Sequence, residues 1–500
     1  MIERLPASVG VRITRAQLVG DYLVFGTSNA ALHLGPLGTT ACKRALENPV
    51  SPASDQEVRL FDRIAAHRSL SIEVLQTGRD PGLVTVVIPV YNNAAGLERL
   101  LGSLAGLEGL AEVIVVDDCS DDMAEPIALA ARFGAKLHRL ETNLGPAAAR
   151  NAGAKLAGSK TQVLVFMDAD LHVSNTEASL MSIRACQAGV GFAAPRVRSG
   201  CAGVKGRIAR WIAHYEWSHS PLDMGSNPAL IDGAGPIWYV PSAMFAIRVE
   251  LFDELGGFRE SLRYGEDVDL VARAVSMGAI GYFSGESGAF HEARTKLLGF
   301  VAQRFHYGAS ASPLARIHPG RVVHFSGDEI SVAALIMPGA SMTIRSAILL
   351  KQHRALRTSL PDEVSAALAN SSAQAVLSAL QNELEMIGRM ALAPLVAASL
   401  FSSLIRRHTA RLLVLRAGIA FALAITSKEG GVAASAAIEA TPTAILAVID
   451  DLAYSAGLGY GALMGKSLAA YRARFRPGAA LATLRTRGST FRRKTRSDGA

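Results

Sequence analysis

The chain has 500 residues, half of them apolar and 19% charged, with a formal net charge of +8. That balance excludes a largely disordered protein and supplies enough apolar material for two or three domains. Cys42, Cys119, Cys186 and Cys201 show neither C-x-x-C spacing nor the density of a disulfide scaffold, so a reducing compartment is expected and the thiols read as small core residues.

Met1 to Arg12 lacks the basic flank and apolar stretch of a secretory signal, which predicts a cytoplasmic N-terminus. Residues up to about Gln76 read as short strands at Val11–Ile13, Tyr22–Phe25 and Ala31–Leu34, then helices near Thr40–Leu46 and Asp55–His67. Ser54 and Glu57 form a capping-box pattern ahead of Val58, Phe61 and Ile64.

Residues 77–82, Thr-Gly-Arg-Asp-Pro-Gly, are a turn-rich break, and a doubly wound α/β pattern starts after them. The valine-rich runs Leu83–Val90, Val113–Val116 and Val163–Met167 suit strands buried on both faces. Helical segments separate them: Leu97, Leu100, Leu101, Leu104 and Leu107 share one face, and Pro146 stands where a first-turn proline opens the helix carrying Arg150. Such alternation implies a parallel sheet whose ligands lie beyond the carboxyl ends of the strands. Tyr91, Asn92, Asp117, Asp118, Asp168 and Asp170 occupy those ends.

After about Ile330 the chain becomes Ala- and Leu-rich and helical. Arg389–Ile405 approaches membrane-spanning length, but Pro394 interrupts it and serines dilute it; Leu412–Thr426 is shorter and carries Arg416. Buried or interfacial helices are expected there. The last stretch crowds arginines from Arg472 to Arg496, a solvated tail that suits the anionic inner leaflet of a cell membrane and allows peripheral contact there.

Asp168 and Asp170 stand two apart at the end of an extended run, so their carboxylates project to one side and repel unless a cation lies between them. Oxygen ligands of this kind select Mg²⁺ or Mn²⁺, which keep coordination sites for phosphate oxygens and water. Alone, an Asp-x-Asp is also a common way to close a strand. Pro89, Tyr91, Asn92, Asp117 and Asp118 at neighbouring strand ends can form a slot for a base and ribose, and Arg150 faces the same cleft. Glu266 and Asp267 open a helix whose apolar face is Val268, Val271, Ala272 and Val275; one carboxylate can cap the helix while the other moves a proton. His291 follows a strand-like Ile280–Phe283 and a Gly/Ser turn, and its imidazole is a candidate metal ligand.

In this order, Thr85–Asn92, Val113–Ser120, Asn143–Asn151, the Asp-x-Asp, and Gly-Glu-Asp followed by His291 resemble an inverting family 2 glycosyltransferase of the GT-A fold over residues 84–292. The resemblance implies that Asp117 and Asp118 hold the uracil and ribose of a UDP-sugar and that Asp170, with Asp168 and His291, binds the metal bridging the diphosphate. Asp267 would be the general base, with Glu266 beside it. Cys119 departs from the small residue more common at its position. The wider layout, with a small N-terminal module similar to PqqD-like winged-helix peptide-recognition domains and the segments around His306–Gly308 and His318–Val322, resembles the mycofactocin-system glycosyltransferases. That narrower likeness implies β-linked glucose units added to a redox cofactor made from a ribosomal peptide. Trp238 and Tyr239 lie where such enzymes meet the acceptor, although a core role fits them equally.

The expected layout is residues 1–78 as the recognition module, 83–325 as the transferase, 326–475 as the helical region and 476–500 as the tail. The competing readings are a membrane-surface transferase for envelope polysaccharide or glycolipid, a peptide-binding scaffold with an inactive transferase domain, and a nucleotidyltransferase. Nucleic-acid binding ranks last, because the basic tail lacks interleaved aromatics apart from Phe475 and Phe491.

Overall fold

The computed structural model describes residues 5–6, 9–13, 16–20, 22–25, 30–65, 70–74, 83–104, 110–200, 203–233, 237–319, 325–327, 362–426, 433–471 and 473–475. The break at 77–82, the basic tail from 476 and Cys201 lie outside them. The chain folds as two units that divide after Lys296.

The first unit opens with β1 (Val9–Ile13), β2 (Ala16–Val19), β3 (Tyr22–Phe25), β4 (Ala30–His33), α1 (Pro36–Glu47), α2 (Asp55–Ala65) and β5 (Leu70–Val74). Strands β2, β3 and β4 form an antiparallel sheet, and β1 pairs antiparallel with β5. Strand β5 alternates Leu-Ser-Ile-Glu-Val, a period-2 signal that the expected elements omitted; β2 has no fully buried position and left no such signal. At the start of α2 the Glu57 N–H donates to Ser54 Oγ at 3.3 Å. The Glu57 carboxylate reaches back one residue further than a capping box requires, accepting the Ala53 N–H at 2.8 Å.

The sheet that carries the site follows, with β6 (Leu83–Val90), α3 (Ala94–Leu104), β7 (Leu110–Asp117), α4 (Ala124–Phe133), β8 (Lys136–Arg139), α5 (Pro146–Lys155), β9 (Thr161–Met167), β10 (Leu171–Val173) and α6 (Thr176–Gln187). Then come β11 (Phe192–Gly200), α7 (Arg207–His219), β12 (Ala229–Ile231), β13 (Met244–Arg248), α8 (Val249–Glu254), α9 (Glu266–Ser276) and β14 (Gly281–Glu292). The strand order is β10-β14-β11-β13-β9-β6-β7-β8, with β12 also on β14. Strands β9, β6, β7 and β8 are parallel and β13 runs against β9, so the α/β sheet is mixed.

Period-2 alternation divides the valine-rich strands between two cores. Val84, Val86, Ile88, Val163, Val165 and Met167 point to one face with Leu97, Leu100, Leu101 and Leu104 of α3. Val87, Leu164 and Phe166 point to the other with Ala147 and Ala149 of α5 and Leu270, Val271 and Ala274 of α9. Each large apolar side chain fully buried this way contributes roughly 1.5–3 kcal/mol. The N-terminal residues Val11, Phe61, Ile64 and Ile72 belong to the first of these cores, so that small module and the sheet share one interior.

Residues 280–291 differ from expectation. In place of a strand, a turn and then His291, β14 is one twelve-residue strand. The Gly/Ser segment is absorbed as an irregularity in its pairing with β11, with Gly285 at φ 74°.

In the second unit, helix Leu297–Ile317 lies along helix Ala433–Met464, and helices Asp362–Ser399 and Ser403–Thr426 complete the group. Gly308, Gly457 and Gly461 let the first pair approach closely: a β-carbon at any of them would strike the facing backbone. This packing draws Leu297–Ile317 into the helical unit, ahead of the boundary expected near residue 325. Arg304 reaches Asp450 at 3.1 Å and Arg416 reaches Asp451 at 2.7 Å inside it. Pro394 sits within Asp362–Ser399, and the apolar run across Arg389–Ile405 is broken by a turn after Ser399. Among the described residues no helix is long and apolar enough to cross a membrane.

Candidate active site

The carboxyl ends of β6, β7 and β8 are held level by backbone bonds: Asp118 N–H donates to Val90 O and Leu140 N–H to Asp117 O, both at 2.8 Å. Immediately after β6 and β7, Asn92 (φ 49°) and Cys119 (φ 65°) turn through the left-handed region. Side chains seldom adopt it, so two such residues at adjacent strand tips mark a constrained corner. The corner is laced by Asn92, whose N–H donates to Ser120 Oγ at 2.8 Å and whose amide exchanges two 2.9 Å bonds with Asp121. Tyr91 is exposed on its rim and Pro89 is half-buried.

Asp117 is wholly buried. Its Oδ2 accepts the Ser120 N–H at 3.0 Å, and its Oδ1 accepts no hydrogen bond. An acceptor left so costs about 1–3 kcal/mol, which a ligand N–H would relieve. The neighbouring Asp118 is differently placed: its two oxygens accept the N–H groups of Leu144 and Gly145, each at 2.8 Å. It fixes the turn into α5, where Gly145 at φ 92° makes room for Pro146 at the first helical position.

Helix α5 lies against the sheet through small residues; a β-carbon on Gly153 would collide with Val87. That closeness buries Arg150, which is 3% exposed. Its Nη2 donates to Asp168 Oδ1 at 2.6 Å and its Nη1 to Glu266 Oε1 at 2.7 Å, over the ring of Phe258. Burial by itself would lower the guanidinium pKa, but the charges of Asp168 and Glu266 more than reverse this and raise it. The residue expected to touch the nucleotide is thus engaged by two carboxylates from distant segments. Asn151 pins the loop beneath, accepting the Phe258 N–H and donating to Phe258 O and Glu260 Oε1, each at 2.9 Å.

Gly265, at φ 80°, turns the chain into α9 and brings Glu266 and Asp267 to that helix's N-terminus. Burial, then the charge of Asp267, pushes the Glu266 carboxyl up to about 7. Asp267 Oδ1 accepts the Val268 N–H at 2.7 Å and Oδ2 accepts the Ser242 N–H at 3.2 Å; burial raises its pKa too. The next residue, Ala243, accepts the Asp168 N–H at 2.9 Å, so one backbone segment holds Asp267 and Asp168. Trp238 and Tyr239 lie just upstream, ring centroids 4.9 Å apart, with Trp238 half-buried and Tyr239 packed against the second core.

Strand β10 lies antiparallel to β14 with Leu171 opposite His291, which sets His291 Nε2 2.9 Å from Asp170 Oδ2. Burial opposes both charges, but the pair overrides it: Asp170 is lowered, and His291 is pushed up to about 8. Asp170 Oδ1 is buried without a hydrogen bond. Among the described residues no three His, Cys, Asp or Glu side chains are arranged to hold a metal ion. The donor set fits Mg²⁺ or Mn²⁺ nonetheless, because such ions are commonly held by one or two carboxylates with substrate phosphates and water filling the remaining positions. Asp170 could hold such an ion through its unpaired oxygen.

Residues 85–256 match the family described as Glycosyl transferase family 2. The chain is also 30% identical over 496 residues to the pre-mycofactocin glycosyltransferase of Mycobacterium tuberculosis, covering 95% of this chain and 99% of that protein. The chain belongs to glycosyltransferase family 2. This family 2 enzyme is a glycosyltransferase with a GT-A-like mixed α/β sheet and a helical C-terminal region. It is 31% identical over 204 residues to the succinoglycan biosynthesis protein ExoO of Rhizobium meliloti, covering 39% of this chain and 56% of that one. The family match ends before Glu266, Asp267 and His291, which the similarity to the pre-mycofactocin glycosyltransferase spans.

Within this glycosyltransferase, the fold gathers Asp168, Glu266 and Asp267 around Arg150 and sets His291 on Asp170. Four participants had no role in the sequence reading. Arg139, at the end of β8, donates to Ser120 O at 3.0 Å and approaches Asp117, and the rule that ligands gather at strand ends was enough to single it out. Ser242 and Ala243 act through backbone groups and leave no trace in residue type. Glu216 accepts the Arg294 N–H at 2.9 Å and adds to the field on His291; an acidic residue inside an amphipathic helix gives no such hint.

Proposed function

We infer that the enzyme transfers a hexose from a UDP-sugar, with inversion at the anomeric carbon and dependence on Mg²⁺ or Mn²⁺. The acceptor is a pre-mycofactocin-type, peptide-derived molecule, and the added sugar is β-linked glucose. The observation that carries this reading is the shared segment 242–243, which holds the Asp267 carboxylate beside Asp168.

In this reading the imide N–H of uracil donates to Asp117 Oδ1, the buried oxygen without a partner. Asp118 keeps the turn at 144–145 closed around the ribose side of the slot. Asp170 and His291, with Asp168 nearby, hold the metal; when bound, it offsets negative charge on the departing diphosphate. An acceptor hydroxyl lies against Trp238 and Tyr239, and its proton passes to Asp267. The hydroxyl oxygen bonds to the anomeric carbon from the face opposite the leaving UDP, and the bond to UDP breaks with its electron pair leaving on the diphosphate. Asp267 is suited to this because burial raises its affinity for a proton, and a base tuned upward accepts one more readily near neutrality. Arg150 sets the Asp168 and Glu266 carboxylates and is a positioning residue.

Acceptor selection by the N-terminal module fits the full-length similarity to the pre-mycofactocin enzyme, which includes that module. Mass spectrometry of acceptor extracts incubated with UDP-glucose tests the reading. A mass gain of one hexose per transfer is expected, and Asp267→Asn should abolish it while leaving UDP binding nearly intact. Loss of UDP binding in that variant would remove the assigned role.

A further inference from the structure

The helical unit carries an apolar surface at one end. Leu400, Phe401, Leu404, Leu463, Met464 and Leu468 are between 68% and 91% exposed. Two hydrogen bonds bring them to the same end. Ala393 N–H donates to Ser455 Oγ at 3.1 Å, and Gly388 abuts Asp451, so helices Asp362–Ser399 and Ala433–Met464 run in the same direction and in step. Seven residues beyond that bond, about 10 Å along each helix, stand Leu400 and Ala462. Thr409 Oγ1 donates to Leu395 O at 3.4 Å, folding helix Ser403–Thr426 back and leaving Leu400 and Phe401 at the apex of the turn.

Among the described residues the charge at this end has one sign. Arg406 and Arg407 follow the apex, and Lys466 follows Met464; all three are exposed. Arg316, also exposed, closes on Gly465 O at 3.5 Å. No Asp or Glu occurs in residues 390–426, 452–475 or 297–319, the stretches that build this end. An apolar apex whose described charged neighbours are Arg316, Arg406, Arg407 and Lys466 is suited to sinking into the acyl boundary of a bilayer while its arginines meet anionic headgroups. A second copy of the chain would fit it poorly, because a two-fold contact sets like charges against each other.

We propose that this end of the helical unit, with Leu400, Phe401, Leu404, Leu463, Met464 and Leu468 as the inserting surface, docks on an anionic phospholipid bilayer. Contact is interfacial and does not span the membrane, since the apolar run around Pro394 is divided between two helices by the exposed turn. The surface is distinct from the basic tail, whose large apolar side chains are Leu481, Leu484 and Phe491.

Flotation of the full chain with vesicles tests this, comparing phosphatidylcholine alone with phosphatidylcholine mixed with phosphatidylglycerol. Partitioning onto the mixed vesicles is expected to exceed that onto neutral ones by about tenfold or more. Phe401→Glu and Leu463→Glu, both at solvent-exposed positions, should each lower it about tenfold while the melting temperature stays unchanged. The double variant Arg406→Glu, Arg407→Glu should remove most of the preference for anionic vesicles. Equal binding by the parent and both apolar-site variants would assign attachment to the tail and overturn the proposal. So would absence of binding by the parent, or a dimer that Phe401→Glu dissociates with no vesicle association.

Discussion

His291 Nε2 lies 2.9 Å from Asp170 Oδ2, the two brought together by the antiparallel pairing of β10 with β14. The contact leaves Asp170 Oδ1 as a buried acceptor without a partner, which makes that oxygen the first expected metal ligand. Asp170→Ala should abolish turnover and the enhancement of UDP binding by Mn²⁺. His291→Gln should weaken metal affinity on the order of 10–100-fold, the range seen when a metal site loses a supporting group. Calorimetric titration of UDP with and without Mn²⁺ separates these from losses of UDP affinity itself; metal-enhanced binding that survives in Asp170→Ala would exclude this assignment.

Arg150 is the only cation hydrogen-bonded to Asp168 among the described residues, and it also pairs with Glu266. Its removal leaves carboxylates without their counter-charge in a largely buried setting. Arg150→Ala is expected to destabilise the first unit by about 3–5 kcal/mol, and Arg150→Lys by less, since it keeps the charge but cannot span both partners. Urea unfolding followed by tryptophan fluorescence measures both. A change below about 1 kcal/mol in the alanine variant would mean that the pairs behave as solvated surface contacts.

Burial and the adjacent Asp267 raise Glu266 to about 7, and Asp267 is raised as well. The base must be ionised to accept a proton, so kcat should climb as pH rises through the raised range of Asp267. Glu266→Gln, which removes the like charge, should move that acid limb to lower pH. Stability has the opposite sign. Between the ordinary glutamate value and about 7 the folded state retains a proton that the unfolded state has lost, so the Glu266 contribution is most favourable below that window and declines as pH rises across it. A pH–rate profile of the parent and the Glu266→Gln variant checks the first; an acid limb below pH 5 in the parent would dismiss it.

Val11, Phe61, Ile64 and Ile72 share a buried core with Val84, Val86 and Ile183 of the sheet. Deleting residues 1–78 therefore exposes apolar surface on the transferase itself. The deletion should lower the melting temperature by more than about 5 °C and impair acceptor transfer more than hydrolysis of the sugar nucleotide. Differential scanning calorimetry reads the first effect; an unchanged melting temperature would make the module an independent appendage.

Chain order and residue type were sufficient for the α/β class, the valine-rich strands and the clusters at their ends, because strand burial and ligand placement both follow local periodicity and connection rules. Pro146 and Glu266 were legible in the same way, each standing at the start of a helix. Tertiary structure alone decided which carboxylates are available. Asp117 and Asp118 are adjacent and chemically alike, yet one keeps an unpaired oxygen while the other is held by two backbone N–H groups. Arg150, expected in the cleft, is buried between Asp168 and Glu266, since its position depends on how closely α5 approaches the sheet. Sequence lists the charged groups and the strand each one follows. Only packing sets their distances and their access to water, and those two quantities govern which group binds, which moves a proton and which holds the others in place.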